Sequence, residues 1–306
     1  MKTAASHPAT EFALLGLLAL LWGSSYLFIK VAVAEIPPVS LIALRVSIAA
    51  AILVALVYWR GRRLPHQVSD WRMFMLQSVF NSVGAWTVLA WGQQHVDSGL
   101  ASVLNSTSPI FVFLFTALIT RHEAVPARRL LGACLGLAGV VLIVGPSALL
   151  GLGTDLAGQL AVLSGAVLYA CAAIYGKRFA HLPAEVTAAG TMLCASAVLV
   201  PASLMIDRPW LLRPSVLALG AALALSVLCT ALALILYFRL VRTLGSMGVA
   251  SQAYLRAGIG VALGVTLLGE TIALATAIGL AAALLGVVLI NSRSRPAGAE
   301  VRTQAG

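Results

Sequence analysis

The chain has 306 residues, of which 60% are hydrophobic and only 10% charged, and its mean hydropathy is +0.99. Soluble domains are about 45–50% apolar and about 25% charged, so this composition excludes a water-soluble globular protein. The formal net charge of +10 would suggest a nucleic-acid partner only if the basic residues were clustered, and they are scattered over the loops. The composition therefore predicts a polytopic membrane protein without a soluble domain.

Apolar segments follow one another along the chain and are separated by short polar stretches. A spanning helix needs about 20 apolar residues, because about 30 Å of hydrocarbon is crossed at about 1.5 Å per residue. The long unbroken apolar runs also exclude the alternating pattern of β-barrel strands. We predict an all-α fold with ten transmembrane helices at 12–34, 38–59, 71–91, 98–120, 127–145, 156–179, 183–206, 214–238, 246–268 and 272–291, and tails at 1–11 and 292–306.

The distribution of basic residues predicts the orientation of these helices. With the N-terminus inside, fifteen of the twenty Lys and Arg residues fall on the cytoplasmic face. The opposite face receives only Lys30, Arg208 and Arg213, and the remaining two, Arg45 and Arg256, lie within predicted helices. Because positive charge is enriched in cytoplasmic loops, we expect both termini to be cytoplasmic and the membrane to be a bacterial-type plasma (inner) membrane.

The two halves of the chain resemble each other at a constant offset of 147 residues. The agreements at this offset are Gly139–Ile143 with Gly286–Ile290, Glu123 with Glu270, Gly132 with Gly279, and Lys30 with Lys177. Each half holds five predicted helices, and this odd number inverts the second half in the membrane. The sequence thus predicts two inverted five-helix repeats, 12–145 and 156–291, around a central cavity, as in transporters that expose one site alternately to each side. Glycines of the fifth and tenth helices are expected to allow close helix packing.

Short motifs in both halves also match a known transporter pattern. They are Leu21–Tyr26 (Leu-Trp-Gly-Ser-Ser-Tyr) with Lys30, Leu44-Arg45, Ala101–Leu104 with Pro109 and Glu123, and Leu267–Glu270. Over about residues 12–291 the chain resembles the drug/metabolite transporter superfamily, in its ten-helix branch of paired EamA-type units. Within that branch it most resembles YddG-type exporters of aromatic amino acids. The resemblance implies a ten-helix basket with a central cavity that exports small metabolites.

Two positions depart from the family pattern. The ninth helix has Tyr254-Leu255-Arg256-Ala257 where such units usually carry a proline, and the repeat partner of Arg45 is Met192. The two halves are therefore not equivalent in function.

Charged and polar residues inside the predicted helices are candidates for substrate contact, because intramembrane polar groups usually face the protein interior or a wet cavity. Arg256 is either an anchor for a substrate carboxylate or a structural cation held by backbone carbonyls. Arg45 is expected to be structural, since its long stem can reach the interface. The stretch Asn105–Pro109 is expected to line the cavity at a kink, and the alternative is a kink stabilised only by its own hydroxyls.

Aromatic residues within the helices suggest the walls of the same cavity. Trp22 and Tyr169 are partners at the 147-residue offset, and the symmetry is expected to face them toward each other across the centre. Aromatic walls with a few polar groups suit a bulky zwitterion with an apolar side chain, and ordinary core packing is the alternative. The predicted substrate-binding residues are Trp22, Ser25, Tyr26, Trp86, Asn105, Ser108, Pro109, Tyr169, Tyr254 and Arg256.

The sequence predicts an exporter of aromatic or other neutral amino acids that works by alternating access. No Asp or Glu falls at the middle of a predicted helix, so uniport-like transport is expected rather than proton coupling. Amphipathic drugs and sugar phosphates are alternative substrates, and a membrane enzyme acting on lipid is a remote alternative. We expect no catalytic residue, metal, cofactor, nucleic acid or protein partner, and only a small-molecule substrate and the lipid bilayer as partners.

Overall fold

The structure is a computed structural model that describes residues 8–119, 127–144, 154–237, 239–240, 243, 252–271 and 274–291. All regular secondary structure within these residues is helical, which confirms the predicted all-α fold for this part of the chain. The helices, numbered in chain order, are α1 (Pro8–Val33), α2 (Pro38–Trp59), α3 (Val68–Gly92), α4a (Ser98–Asn105), α4b (Ser108–Ile119), α5 (Ala127–Val144), α6 (Thr154–Tyr175), α7 (Ala184–Ile206), α8 (Val216–Tyr237), α9 (Gln252–Leu268) and α10 (Leu274–Asn291).

The helices differ in how completely they satisfy the requirements for crossing a membrane. Among the described residues, seven are long and apolar enough to span, and shorter apolar stretches lie in α5, α9 and α10. The structure therefore confirms a multispanning apolar protein, while ten crossings and the cytoplasmic termini remain predictions. Part of the predicted ninth helix, 246–251, lies outside the described residues.

The first helix begins at Pro8, so the last four residues of the predicted N-terminal tail are helical. Proline fits the first turn of a helix because its missing N–H would have no intrahelical partner there. Glu11 lies in the same turn, where the positive end of the helix dipole stabilises a carboxylate. Composition alone did not reveal this extension, since the polar residues at the start of the chain resemble a tail.

The principal helix contacts follow the two-repeat symmetry. Helix α5 packs on α10, α2 packs on α7, and α4a packs on α9. Helix α1 contacts α8 and α9, just as its counterpart α6 contacts α3 and the two parts of α4. If each helix is replaced by its counterpart in the other half (α1 by α6, α2 by α7, and so on), the same set of helix contacts is obtained. This symmetry confirms the two-repeat architecture.

Glycines allow α5 and α10 to pack with their backbones in contact. A Cβ atom added at Gly139 would lie 2.6 Å from the Gly279 carbonyl oxygen, and one added at Gly286 would lie 2.6 Å from the Gly136 nitrogen. Backbone atoms cannot move aside as a flexible side chain can. The repeated pentapeptide thus contributes one backbone-contact position to each helix, as the sequence predicted.

Substitution of Gly286 by alanine should lower the stability of the protein. The added methyl group has no space between α5 and α10, and overpacking of this kind costs about 1–3 kcal/mol. The matched control is Gly220→Ala in α8, because a Cβ atom there meets nothing within 4 Å. Thermal unfolding in detergent should show a lower Tm for the first variant and an unchanged or higher Tm for the second. Equal Tm values would contradict the close packing of the two helices.

Candidate substrate-binding site

A buried arginine lies where helices of the two repeats meet. Arg45 is only 5% exposed and sits about two turns from the start of α2. Its Nε donates a 2.8 Å hydrogen bond to the Thr230 hydroxyl on α8, and its guanidinium carbon lies 3.8 Å from the centroid of the Trp86 ring on α3. No Asp or Glu among the described residues pairs with it. The cation is thus stabilised by one hydroxyl and one aromatic face, which offset only part of its desolvation cost.

The positions of Trp86 and Thr230 depend on two π-helical segments. Val79–Trp86 in α3 and Val227–Leu232 in α8 are both π-helical, and the 147-residue offset superposes them to within one residue. In the second segment, the Thr230 hydroxyl donates to the Leu225 carbonyl five residues earlier, at 2.8 Å. Such insertions occur often at functional sites because they change the direction in which side chains point.

A second arginine, Arg256, lies in the same region, and Tyr169 is close to both arginines. This residue of α6 is half-buried and lies within electrostatic range of Arg45, Tyr26 and Arg256. The indole N–H of Trp86 lies near the Tyr169 hydroxyl but has no hydrogen-bond partner of good geometry. The Arg256 Nε is likewise buried without a partner among the described residues.

Asn105 connects this region to the break in the fourth helix. Its Nδ2 donates a 2.7 Å hydrogen bond to the Tyr26 hydroxyl, while its Oδ1 is buried and accepts nothing from the described residues. An unsatisfied buried polar atom costs about 1–3 kcal/mol, which a bound molecule with a matching group would recover. We call Tyr26, Arg45, Trp86, Asn105, Tyr169, Thr230 and Arg256 the central cluster.

The predicted kink at Pro109 is a complete break between α4a and α4b. The Ser108 hydroxyl donates to the Asn105 carbonyl at 2.7 Å, and the Thr107 hydroxyl donates to the Leu104 carbonyl at 2.6 Å. The Ser25 hydroxyl similarly donates to the Leu21 carbonyl at 3.3 Å within α1. Ser25, Ser108 and Pro109 therefore shape the helices beside the central cluster, and their polar atoms are engaged by backbone.

Of the other predicted aromatic residues, Trp22 lies apart from the central cluster, and the side chain of Tyr254 is not among those that the structure describes. The Trp22 ring packs against Tyr237, with ring centroids 5.5 Å apart, in an apolar group with Leu18 and Leu240. Tyr169 packs on the main core instead, so Trp22 and Tyr169 lie in different side-chain groups.

A glycine in the Trp-Gly-Ser motif explains how α9 reaches the cluster. A Cβ atom at Gly23 would lie 2.7 Å from the Ile259 Cγ2 atom and 3.1 Å from the Arg256 carbonyl oxygen. A larger residue at position 23 would therefore push α9 away from α1. The motif thus sets the distance between Arg256 and the rest of the central cluster.

Comparison with known proteins identifies the family. The model of the EamA-like transporter family matches residues 11–145 and again residues 156–292. The chain belongs to this family. The resemblance of its motifs to EamA-type units is thereby confirmed, and the protein is a membrane transporter.

Relatives of this EamA-like transporter occur in bacteria and archaea. An "Uncharacterized inner membrane transporter YedA" of Escherichia coli (strain K12) is 28% identical over 282 residues, which cover 92% of this chain and 90% of the relative. An "Uncharacterized transporter" of Archaeoglobus fulgidus is 28% identical, over 79% of this chain and 83% of its own. One crystal structure, at 22% identity, aligns with a TM-score of 0.64 over 92% of this chain and 96% of its own, so the two share a fold.

Polar contacts join the helix ends of this EamA-like transporter at its predicted outer face. The Lys30 ammonium donates to the carbonyls of Gln93 and Val96, at 2.9 and 2.7 Å, and so ties α1 to the end of α3. The Ser215 hydroxyl and backbone N–H both donate to Glu35, and these bonds lower the pKa of that exposed carboxyl below its ordinary value. If successive helices cross the membrane in opposite directions, the helix ends joined by each of these contacts lie on the same side.

Glu270 makes the most specific contact at this face. Its carboxylate accepts hydrogen bonds from the backbone N–H groups of Ser98 and Gly99, at 2.7 and 2.8 Å, at the first turn of α4a. Gly269 precedes it with φ +67, a left-handed conformation that glycine adopts without strain and that ends α9. The Leu-Gly-Glu motif therefore turns the chain so that a carboxylate of the second repeat caps a helix of the first.

Ion pairs hold the helix ends at the opposite face. Buried Glu185 pairs with Arg60 at 3.0 Å and with Arg62 at 3.3 Å, and so links α7 to the end of α2. Buried Glu11 accepts from Arg239 at 3.0 Å, which links α1 to the end of α8. The two faces thus use different chemistry, with carboxylate–arginine pairs at one and hydrogen bonds to backbone groups and a serine hydroxyl at the other.

Sequence reasoning missed two members of the central cluster. Arg45 was expected to extend toward the interface, but the structure buries it against Trp86 and Thr230. Thr230 was not predicted because a lone threonine in an apolar helix usually bonds to its own backbone. The absence of any acidic residue near Arg45 in the sequence was the one signal that could have directed attention to it.

Proposed function

We propose that this EamA-like transporter exports amino acids with an apolar or aromatic side chain across the inner (plasma) membrane. The observation that carries the proposal is the buried Arg45, which lies between the two repeats without a carboxylate partner among the described residues. A substrate carboxylate would supply the missing counter-charge. Charge-assisted hydrogen bonds between guanidinium and carboxylate are about twice as strong as neutral ones.

The surroundings of Arg45 suit the remainder of such a substrate. Its Nε is already held by Thr230, and its two terminal nitrogens make no hydrogen bond within the described residues. The Trp86 and Tyr169 rings provide an apolar wall, and the unpartnered Asn105 Oδ1 is an acceptor for an ammonium group. A zwitterion with an apolar side chain uses all three features together.

A second substrate class is favoured by the presence of two cations. Arg45 and Arg256 are both within electrostatic range of Tyr169, and a phosphate ester would use two cations more fully than a carboxylate does. Sugar phosphates are therefore the alternative, and they make a direct competitor in the experiment below. The aromatic surroundings favour the amino acid.

Transport is proposed to proceed downhill by alternating movement of the two repeats, predicted at 12–145 and 156–291. The buried carboxylates of the described residues, Glu11, Asp70 and Glu185, lie at helix ends beside basic residues. None of them belongs to the central cluster, where a proton carrier would exchange with substrate. Uniport-like export requires no such group.

The proposal is tested by counterflow in proteoliposomes that contain the purified chain. Vesicles preloaded with unlabelled phenylalanine, leucine or hexose phosphate are diluted into the labelled compound, and empty vesicles serve as the control. We expect phenylalanine or leucine to exchange several-fold faster than in empty vesicles, without accumulation when only a proton gradient is imposed. Exchange of hexose phosphate alone would overturn the substrate class, and proton-driven accumulation would overturn the uniport mechanism.

A further inference from the structure

An apolar groove opens between α2, α7 and the start of α8, away from the central cluster. Its volume is about 310 Å³, which is at the lower end of the range for small-molecule sites. The walls are formed mainly by Ser40, Ala43, Leu44 and Ser47 of α2 and by Val200, Ser203 and Leu204 of α7. These positions recur every three to four residues, so the groove runs lengthwise between one face of each helix.

The hydroxyl groups in the groove are engaged by the protein. Ser40 Oγ lies 2.7 Å from Ser203 Oγ and donates to the Asp207 carboxylate at 2.8 Å. The Ser47 hydroxyl donates to the Ala43 carbonyl at 2.7 Å. The groove therefore offers hydrocarbon walls without spare donors or acceptors, and its natural occupant is an apolar chain rather than an amino acid.

The mouth of the groove combines positive charge with exposed apolar side chains. Its rim includes Pro209, Leu212 and Pro214, and the exposed Arg208 and Arg213 are their direct neighbours in sequence. Arg208 has φ 48, an unusual left-handed conformation for a residue other than glycine. The same loop exposes Trp210, as expected for an aromatic residue at a membrane interface.

We propose that this groove binds one acyl chain of an anionic phospholipid, whose phosphate is held by Arg208 and Arg213. Met205 and Val216, close in sequence to the groove and its rim, are 81% and 88% exposed, as expected of apolar side chains that face lipid. Basic residues at a membrane surface attract anionic lipid, and each one raises the affinity for that lipid about fivefold. The site is independent of the proposed amino-acid substrate.

The test uses the delipidated full-length chain in a nonionic detergent. It is titrated with phosphatidylglycerol or with phosphatidylcholine of the same acyl chains, and lipids bound per chain are counted by native mass spectrometry. We expect one site that prefers phosphatidylglycerol at least fivefold, with a preference that falls as salt is added. Equal retention of the two lipids, or retention of neither, would overturn the proposal.

Two variants separate the contributions of the groove and its rim. Ser47→Phe should block the groove and abolish the site for both lipids, whereas Leu130→Phe on the exposed surface of α5 should leave it intact. Arg208→Asn with Arg213→Gln should remove the preference for phosphatidylglycerol but not the binding of the chain, since asparagine tolerates the left-handed conformation. Arg72→Gln, an exposed cation at the opposite face, should have no effect. Unchanged binding in both groove and rim variants would contradict the assignment.

Discussion

Replacement of Arg45 by methionine is expected to remove most amino-acid transport while leaving the protein folded. The substitution deletes the charge-assisted hydrogen bonds to the substrate carboxylate, each of which contributes about 1.5–3 kcal/mol. The expected loss of apparent substrate affinity is therefore about ten- to hundredfold. Counterflow of labelled phenylalanine over a range of concentrations measures it.

The stability of the same variant distinguishes a binding role from a structural one. Arg45 has no carboxylate partner among the described residues, so its removal leaves no acidic residue buried and unpaired there. A buried charge without a charged partner carries a desolvation cost that an apolar side chain of similar size does not. We therefore expect an unchanged or higher Tm together with the loss of transport. A lower Tm with transport intact per folded molecule would show that Arg45 is structural.

Arg45→Lys is the informative conservative variant. Lysine keeps the positive charge but loses the planar group that stacks on Trp86 and the fork that fits a carboxylate. Transport should fall to a level between those of the wild type and the methionine variant. The matched control is Arg72→Gln, because Arg72 is exposed on α3 and far along the helix from Trp86. Equal transport in the control and in Arg45→Met would contradict the proposed anchor.

The features that could be predicted from the sequence are those that depend on local composition or on the repeat. Apolar runs separated by polar stretches predicted the helices, because the cost of burying polar groups in hydrocarbon acts on each segment alone. The glycines of the fifth and tenth helices predicted close helix packing, and the structure shows that an added Cβ atom at Gly139 or Gly286 would lie only 2.6 Å from backbone of the other helix. Both inferences need no knowledge of how distant helices are arranged.

Five of the seven residues of the central cluster were among the predicted substrate-binding residues, but Arg45, Thr230 and the arrangement of the cluster could not be predicted in the same way. Trp86 and Thr230 point toward Arg45 because the π-helical segments rotate the following side chains around the helix axis. No residue pattern in α3 or α8 predicts those segments. The direction of Arg45 is likewise a tertiary property, decided by the Thr230 hydroxyl on a helix 185 residues away in the sequence. Symmetry was also a limited guide, since Trp22 packs on Tyr237 whereas its repeat partner Tyr169 packs on the main core.

Replacement of Glu270 by glutamine is expected to open the predicted outer face. The carboxylate holds α9 to α4a through two backbone N–H groups and interacts with the positive end of the α4a dipole. Glutamine keeps one acceptor but loses the charge, at a cost of about 1–2 kcal/mol. If the contact forms only when this face is closed, the open population rises about five- to thirtyfold.

Cysteine labelling from outside the cell measures this change. Ser102 is buried on α4a, and its hydroxyl donates to the Ala257 carbonyl of α9 at 3.4 Å, so Ser102→Cys reports separation of these helices. In a background without the four native cysteines, an impermeant maleimide should react faster when Glu270→Gln is present. The control is Arg72→Gln, which removes an exposed charge at the opposite face. Equal labelling rates with and without Glu270→Gln would show that the contact does not control access.

The repeat extends this prediction to the other side of the membrane. The 147-residue offset relates Glu270 to Glu123, which lies outside the described residues, and the predicted inversion of the repeats would place the two glutamates at opposite faces. If both perform the same capping role, each in the state that closes its own face, Glu123→Gln should slow outer labelling at position 102 because the equilibrium moves toward inward opening. Alternating access by two related repeats therefore predicts that Glu270→Gln raises and Glu123→Gln lowers the labelling rate at position 102. If both glutamates were merely structural, the two substitutions would change this rate in the same direction.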